Sequence, residues 1–398
     1  MRISQRIQEM QLSPIRKLVP FAEAAKKEGK KVYHLNIGQP DIETPKEFFD
    51  AVKNFDQKVL KYAFSQGIPE IIESFRKYYD KWDIHYTEDQ IRITNGGSEA
   101  LTIALTAVCD YGDNVLIPEP FYTNYNSFSK STGVHCVPIT TKAEDGFKLP
   151  AKETIVSLIN DKSRAILLSN PGNPTGAVYS RDQINMIRDI AIENDLYIIA
   201  DEVYREFVYD GLDYVSFGQI PEIEDRVIII DSISKRYSAC GARIGCICSK
   251  NDELMAEVMK LCQGRLCVST LDQVGAAALC NVPDSYLTSV YDEYIKRRNV
   301  VYDALKEIPD VICEKPMGAF YIIVKLPIKN AENFVKWMLT DFDLDGETIM
   351  MAPAQGFYAT PGLGLDEVRL SYVLNVDDLK QAMIVLAKGL EEYRKIEK

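Results

Sequence analysis

The sequence predicts an α/β fold with a large unit, built on a mostly parallel mixed sheet covered by helices, and a smaller α+β unit. Three observations predict it. Short apolar, β-branched runs recur through the first two thirds of the chain. Segments of helical period separate several of them. The pattern then changes in the last third. Strands that are apolar throughout are buried on both faces, the mark of a parallel sheet with helices packed on each side.

In chain order, Ser98–Cys109 sets Leu101, Ala104, Leu105 and Val108 at helical spacing, and Gly96-Gly97 precedes it. Asn114–Ile117 and Ala165–Ser169 read as strands, and Arg181–Asn194 reads as a helix with Ile184, Ile187, Ile190 and Ala191 on one face. Leu196–Ala200, Val227–Asp231 and Ile244–Cys248 read as further strands; Cys246 and Cys248, two apart, share a face of the last. Beyond these come a long helix, Asp292–Ile308, a strand, Gly318–Val324, another, Arg369–Val373, and a closing helix, Asp377–Lys395. The change of pattern sets a boundary near residue 290, with a large unit over 46–290 and a small one over 291–398.

The 398 residues are enough for roughly two to three domain-sized units. Hydrophobic residues at 46% and charged residues at 26% exclude disordered and collagen-like chains. A net charge of −12 argues against a nucleic-acid backbone as partner. No apolar run approaches the ~18 residues of a membrane span. Met1–Gln11 has no apolar signal core, so no secretory or transit segment is expected. The nine cysteines form no CxxC pair, and His34, His85 and His135 lie far apart, so no zinc-ligand spacing exists and no metal is expected. Such cysteine usage points to a reducing, cytoplasmic compartment.

In parallel sheets, ligands bind beyond the carboxyl ends of the strands. After Ala165–Ser169 comes Asn170-Pro-Gly-Asn173-Pro-Thr-Gly176; after Leu196–Ala200 comes Asp201-Glu-Val-Tyr204. After Val227–Asp231 comes Ser232-Ile-Ser-Lys235, with Arg243 eight residues beyond the lysine. Taken singly, each has a plainer explanation. Lys235 suits a solvated surface, Asp201 a helix cap, the Asn-Pro stretch a rigid turn, Gly96-Gly97-Ser98 a capped helix start, and Arg369 an exposed strand position. Their joint occurrence, in order, at strand ends is what carries weight.

The motifs together resemble the class I aminotransferases of the aspartate aminotransferase family, with the fold of type I pyridoxal-phosphate enzymes. The resemblance runs from about Ser13 to about Tyr393, and Ser232–Gly245 (SISKRYSACGARIG) is its most specific piece. It implies pyridoxal 5′-phosphate as cofactor, with Lys235 as its covalent attachment and general base. A lowered lysine pKa is expected there. Asp201 matches the carboxylate that pairs with the pyridine nitrogen. Asn173 and Tyr204 match the groups bonded to the ring's 3′ oxygen, and Tyr122 the aromatic stacked on the ring, with Phe121 as a weaker alternative. Gly97, Ser98, Ser232 and Arg243 match the phosphate donors. Tyr62 resembles a tyrosine reaching the phosphate of a neighbouring subunit, which implies a homodimer with shared sites. Arg369 matches the binder of the substrate α-carboxylate, and Gly38 a backbone contact to the same group. By the same resemblance, residues 1–45 form a segment that joins the small unit and closes over substrate.

Two departures stand out. Cys240 occupies a position where threonine is common, with no effect expected beyond packing. Arg265, in Gly264–Gly275, lies near where one branch of the family reads a second carboxylate; a helix-end ion pair explains it equally well. The resemblance implies transfer of an amino group from an L-amino acid to a 2-oxo acid such as 2-oxoglutarate or oxaloacetate by a ping-pong mechanism. Aspartate is the first choice of donor, then alanine or an aromatic amino acid. A carbon–sulfur β-lyase would share Lys235 and Asp201. A ligand-sensing transcription regulator would need a DNA-binding domain ahead of the first motif, and that motif already begins at Ile37.

Overall fold

The computed structural model of the chain describes residues 1–397. Its central sheet has seven strands in the spatial order Ile91–Asn95, Ile244–Cys248, Val227–Ser232, Tyr197–Asp201, Ser163–Ser169, Asn114–Glu119 and His135–Thr140. Ile244–Cys248 runs antiparallel to both neighbours, and all other neighbouring pairs are parallel. Successive residues feed two different cores: Ile198, Ile229 and Leu168 pack on one face, and Ile199, Ile228, Ile230 and Leu167 on the other. This double burial is why these strands read as unbroken apolar runs.

Two strands of this sheet escaped the sequence reading. Ile91–Asn95 carries the buried Arg92 amid its alternation. His135–Thr140 is an edge strand containing Pro138, a residue that edges tolerate and central strands do not.

The carboxy-terminal unit holds an antiparallel sheet, Ala352–Pro353, Glu367–Ser371 and Tyr321–Lys325, with the helices Ala331–Thr340 and Val376–Ile396. The strand expected from Gly318 begins only at Tyr321. Met317 and Gly318 donate their N–H groups to Gly176 O, and Ala319 N–H donates to Phe207 O, so this stretch is tied to the large unit instead of the sheet. The long helix starts earlier than expected, at Asp284 behind Pro283, and residue 290 lies inside it. Lys31–His34 pairs in parallel with Glu347–Met350. Lys17 pairs with Glu332, and Arg297 holds Asp41 at 2.6 Å, so the amino-terminal segment is hydrogen-bonded to carboxy-terminal elements. No helix among the described residues is long and apolar enough to cross a membrane.

Candidate active site

The direction of each strand explains how distant residues meet. Ser163–Ser169, Tyr197–Asp201 and Val227–Ser232 are parallel, so Asn173, Asp201 and Lys235 emerge at one rim. Ile91–Asn95 opposes Ile244–Cys248, which opposes Val227–Ser232. It therefore runs with the parallel set, and the helix Gly96–Val108 starts at the same rim. Arg243 precedes its strand, and the reversal of that strand is what brings it there.

A cavity of about 650 Å³ opens at this rim, and it is lined by all the candidate cofactor and substrate residues except Tyr62 and Arg265. One end is built for an anion. Gly97 and Ser98 start the thirteen-residue helix Gly96–Val108, whose free N–H groups and dipole favour negative charge. Ser232 Oγ lies 2.7 Å from Ser234 Oγ. Arg243 reaches only carbonyls, Cys240 O at 3.1 Å and Asn95 O at 3.5 Å. The approach is close enough to require glycine: a Cβ on Gly96 would stand 2.4 Å from Arg243 Nη2, and one on Gly245 would stand 2.8 Å from Gly97 N.

Asp201 is buried and accepts hydrogen bonds from Tyr125 Oη at 2.7 Å and, weakly, Val203 N–H at 3.5 Å. Burial pushes its carboxyl up to about 6, against the opposing pull of those donors. Arg369 is also buried. It donates to Asn173 Oδ1 at 3.2 Å and Asn36 O at 2.5 Å, while its Nε has no partner. The rings of Tyr321 and Phe357 flank it at 4.5 and 5.0 Å. Burial lowers its pKa, and among the described residues no carboxylate pairs with it.

Lys235 Nζ donates to Gly38 O at 3.0 Å. Burial disfavours the ammonium, but the neighbouring Tyr321, Cys240 and Tyr122 outweigh burial and raise the lysine's pKa above the ordinary value in the chain alone; the lowered value expected beside a cation and the cofactor concerns the loaded site. Cys240 Sγ lies 4.0 Å from Lys235 Nζ and donates to Ser234 O at 3.2 Å.

Asn173 Nδ2 donates to Tyr204 Oη at 3.4 Å, and Tyr204 Oη lies 2.9 Å from Tyr321 Oη. Tyr122 lines the cavity, whereas Phe121 is buried against Tyr125 with ring centroids 6.1 Å apart. Tyr62 is 82% exposed, near the exposed Val59, Leu60 and Phe64. Arg265 is removed from the cavity by its own partners: Glu99 at 3.3 Å, Ser65 O at 3.3 Å and Ile93 O at 3.1 Å. Within the chain these contacts are those of a helix-end ion pair; the alternative reading places Arg265 at a neighbouring subunit's site.

Sequence reasoning missed Tyr125, Tyr321 and Arg16. Tyr125 lies three residues past Tyr122, and Tyr321 was read only as a strand position. Arg16 lines the cavity and has no ion-pair partner among the described residues, yet lies outside every motif. No group of residues suited to holding a metal ion exists among the described residues.

Residues 30–384 match the family model described as aminotransferase class I and II. An aspartate aminotransferase of Bacillus subtilis (strain 168) is 29% identical, covering 99% of this chain and all of that protein. The solved aspartate aminotransferase of Thermotoga maritima superposes with a TM-score of 0.89 at 28% identity, over 98% of this chain and all of that one. An alanine aminotransferase from Pyrococcus furiosus gives the same TM-score, 0.89, at 31% identity and the same coverage.

Proposed function

The chain belongs to the class I and II aminotransferases, and on that premise we propose that it uses pyridoxal 5′-phosphate to move an amino group from L-aspartate to a 2-oxo acid such as 2-oxoglutarate. The observation that carries this reading is the charge arrangement in one cavity. A buried guanidinium, Arg369, has a free Nε and no carboxylate. A buried carboxylate, Asp201, receives hydrogen bonds only from a phenol and an amide. Buried charges are normally paired. A ligand set with a cationic ring nitrogen, a phosphate and a carboxylate would pair Asp201, Arg243 and Arg369 at once.

When bound, the cofactor supplies an electron-accepting ring that stabilises negative charge at the substrate α-carbon. The family resemblance assigns the roles of this chain's residues, and their positions around the cavity support them. Lys235 Nζ is the attachment point and, once free, moves the proton to and from the α-carbon. Asp201 would keep the ring nitrogen protonated. Tyr204 and Asn173 would offer hydrogen bonds to the ring's 3′ oxygen, and Tyr122 would flank the ring. Gly97, Ser98, Ser232 and Arg243 would donate to the phosphate. Arg369 receives the α-carboxylate as a fork, with Gly38 beside it, and so orients the α-hydrogen. Arg16 is a further cation of the cavity without a carboxylate partner, which supports a donor with a second negative charge. The exposed Tyr62 and its apolar neighbours support a homodimer in which Tyr62 serves the partner's site. The segment 1–45, joined to the unit 291–398, would move with it over the unit 46–290.

The test supplies [15N]L-aspartate and 2-oxoglutarate to the chain loaded with pyridoxal phosphate. Appearance of [15N]glutamate with oxaloacetate supports the reading. Transfer from L-alanine but not from aspartate would favour the second reading, which the likeness to the Pyrococcus furiosus enzyme supports. Pyruvate and ammonia from a cysteine conjugate would instead indicate a β-lyase.

A further inference from the structure

Tyr321 belongs to the carboxy-terminal unit, yet it reaches three groups of the candidate site. Its hydroxyl lies 2.9 Å from Tyr204 Oη. Its ring stands 4.5 Å from the Arg369 guanidinium. It also explains a glycine: a Cβ on Gly38 would fall 1.9 Å from Tyr321 Oη. These contacts close a ring of four residues. Arg369 donates to Asn173 Oδ1, Asn173 Nδ2 donates to Tyr204 Oη, Tyr204 meets Tyr321, and Tyr321 covers Arg369.

The hydrogen-bond count at Tyr204 is the informative part. Its oxygen has two lone pairs and one hydrogen. Asn173 Nδ2 takes one lone pair, and the Tyr321 hydroxyl, 2.9 Å away in a pair where either oxygen can donate, is placed to take the other. With Tyr321 as the donor, the Tyr204 hydrogen has no protein acceptor and is free for a ligand oxygen in the cavity that both residues line. A phenol that accepts a hydrogen bond becomes a better donor, because hydrogen bonds in a chain polarise one another.

We infer that Tyr321 is a positioning residue: its hydroxyl fixes Tyr204 as a donor toward the cavity, and its ring holds Arg369, so a carboxylate arriving at Arg369 is felt at the Tyr204 hydroxyl. The inference rests on the cofactor reading above and adds to it a route through the small unit, parallel to the one through Asn173.

The experiment titrates the near-visible absorbance of the cofactor-loaded chain with pH, with and without succinate, a dicarboxylate that carries no amino group. The unaltered chain, Tyr321→Phe and Tyr321→Leu are compared. Tyr321→Phe keeps the ring and removes the donor. Its titration midpoint should rise by about half a pH unit, since a weaker Tyr204 donor stabilises the unprotonated form less. The change that succinate makes to the midpoint should shrink, while succinate affinity stays within about threefold, because the ring still covers Arg369. Tyr321→Leu should additionally weaken succinate binding by about fivefold or more. A Tyr321→Phe midpoint and succinate response equal to those of the unaltered chain would overturn the inference alone. Absence of any absorbance from lysine-bound cofactor in the unaltered chain would overturn the cofactor reading and this inference with it.

Discussion

Replacing Asp201 by asparagine separates what the free fold wants from what the chemistry needs. The carboxyl is buried, and its pKa of about 6 stands above the ordinary 3.8. At roughly 1.36 kcal/mol per pH unit, this difference amounts to about 3 kcal/mol of destabilisation when the group is ionised at neutral pH. The sign follows from the direction: a carboxyl raised in the folded state costs nothing below the unfolded value. The cost grows as pH rises and is complete above the folded value. Asparagine carries no charge and can still accept from Tyr125. In the chain without added cofactor, Asp201→Asn should therefore be more stable by about 3 kcal/mol at pH 7.5, and by about half that at pH 5. Urea denaturation at both pH values measures this directly. With cofactor the effect reverses, since the variant cannot pair with a ring cation, and turnover should fall by about 100-fold or more. A variant no more stable than the parent at pH 7.5, or an advantage that does not shrink at pH 5, would refute the reasoning.

The other predictions concern the lysine, Arg265 and a glycine. Lys235→Ala should keep bound pyridoxal phosphate after gel filtration yet lose turnover by about 1,000-fold or more. Arg265→Ala breaks a largely buried contact with Glu99 and should cost about 1–3 kcal/mol in denaturation, while the ratio of kcat/KM for aspartate and alanine stays unchanged. Gly38→Ala drives a methyl into the Tyr321 hydroxyl and ring edge and should lower kcat/KM by about tenfold or more.

What was legible in the sequence follows from burial. Strands covered on both faces, such as Val227–Ser232, announce themselves as apolar runs, and the residues after them were read correctly as sharing a rim. Ile91–Asn95 was missed because a buried arginine interrupts its pattern. The placement of Arg243 depends on a strand reversal that no local pattern encodes. Arg265 stayed open between two readings because spacing gives position along a helix but not the partner; within the chain that partner is Glu99. Tyr321 and Arg16 reach the cavity, and Tyr125 reaches Asp201 beside it, through tertiary packing alone, from three separate parts of the chain.

The most direct measurement is an absorbance spectrum of the chain loaded with pyridoxal phosphate, taken before and after L-aspartate is added alone. The account predicts that the band of the lysine-bound cofactor bleaches to that of its amine form and returns on adding 2-oxoglutarate. A band that neither aspartate nor any other amino acid alters, or no band at all, would contradict it.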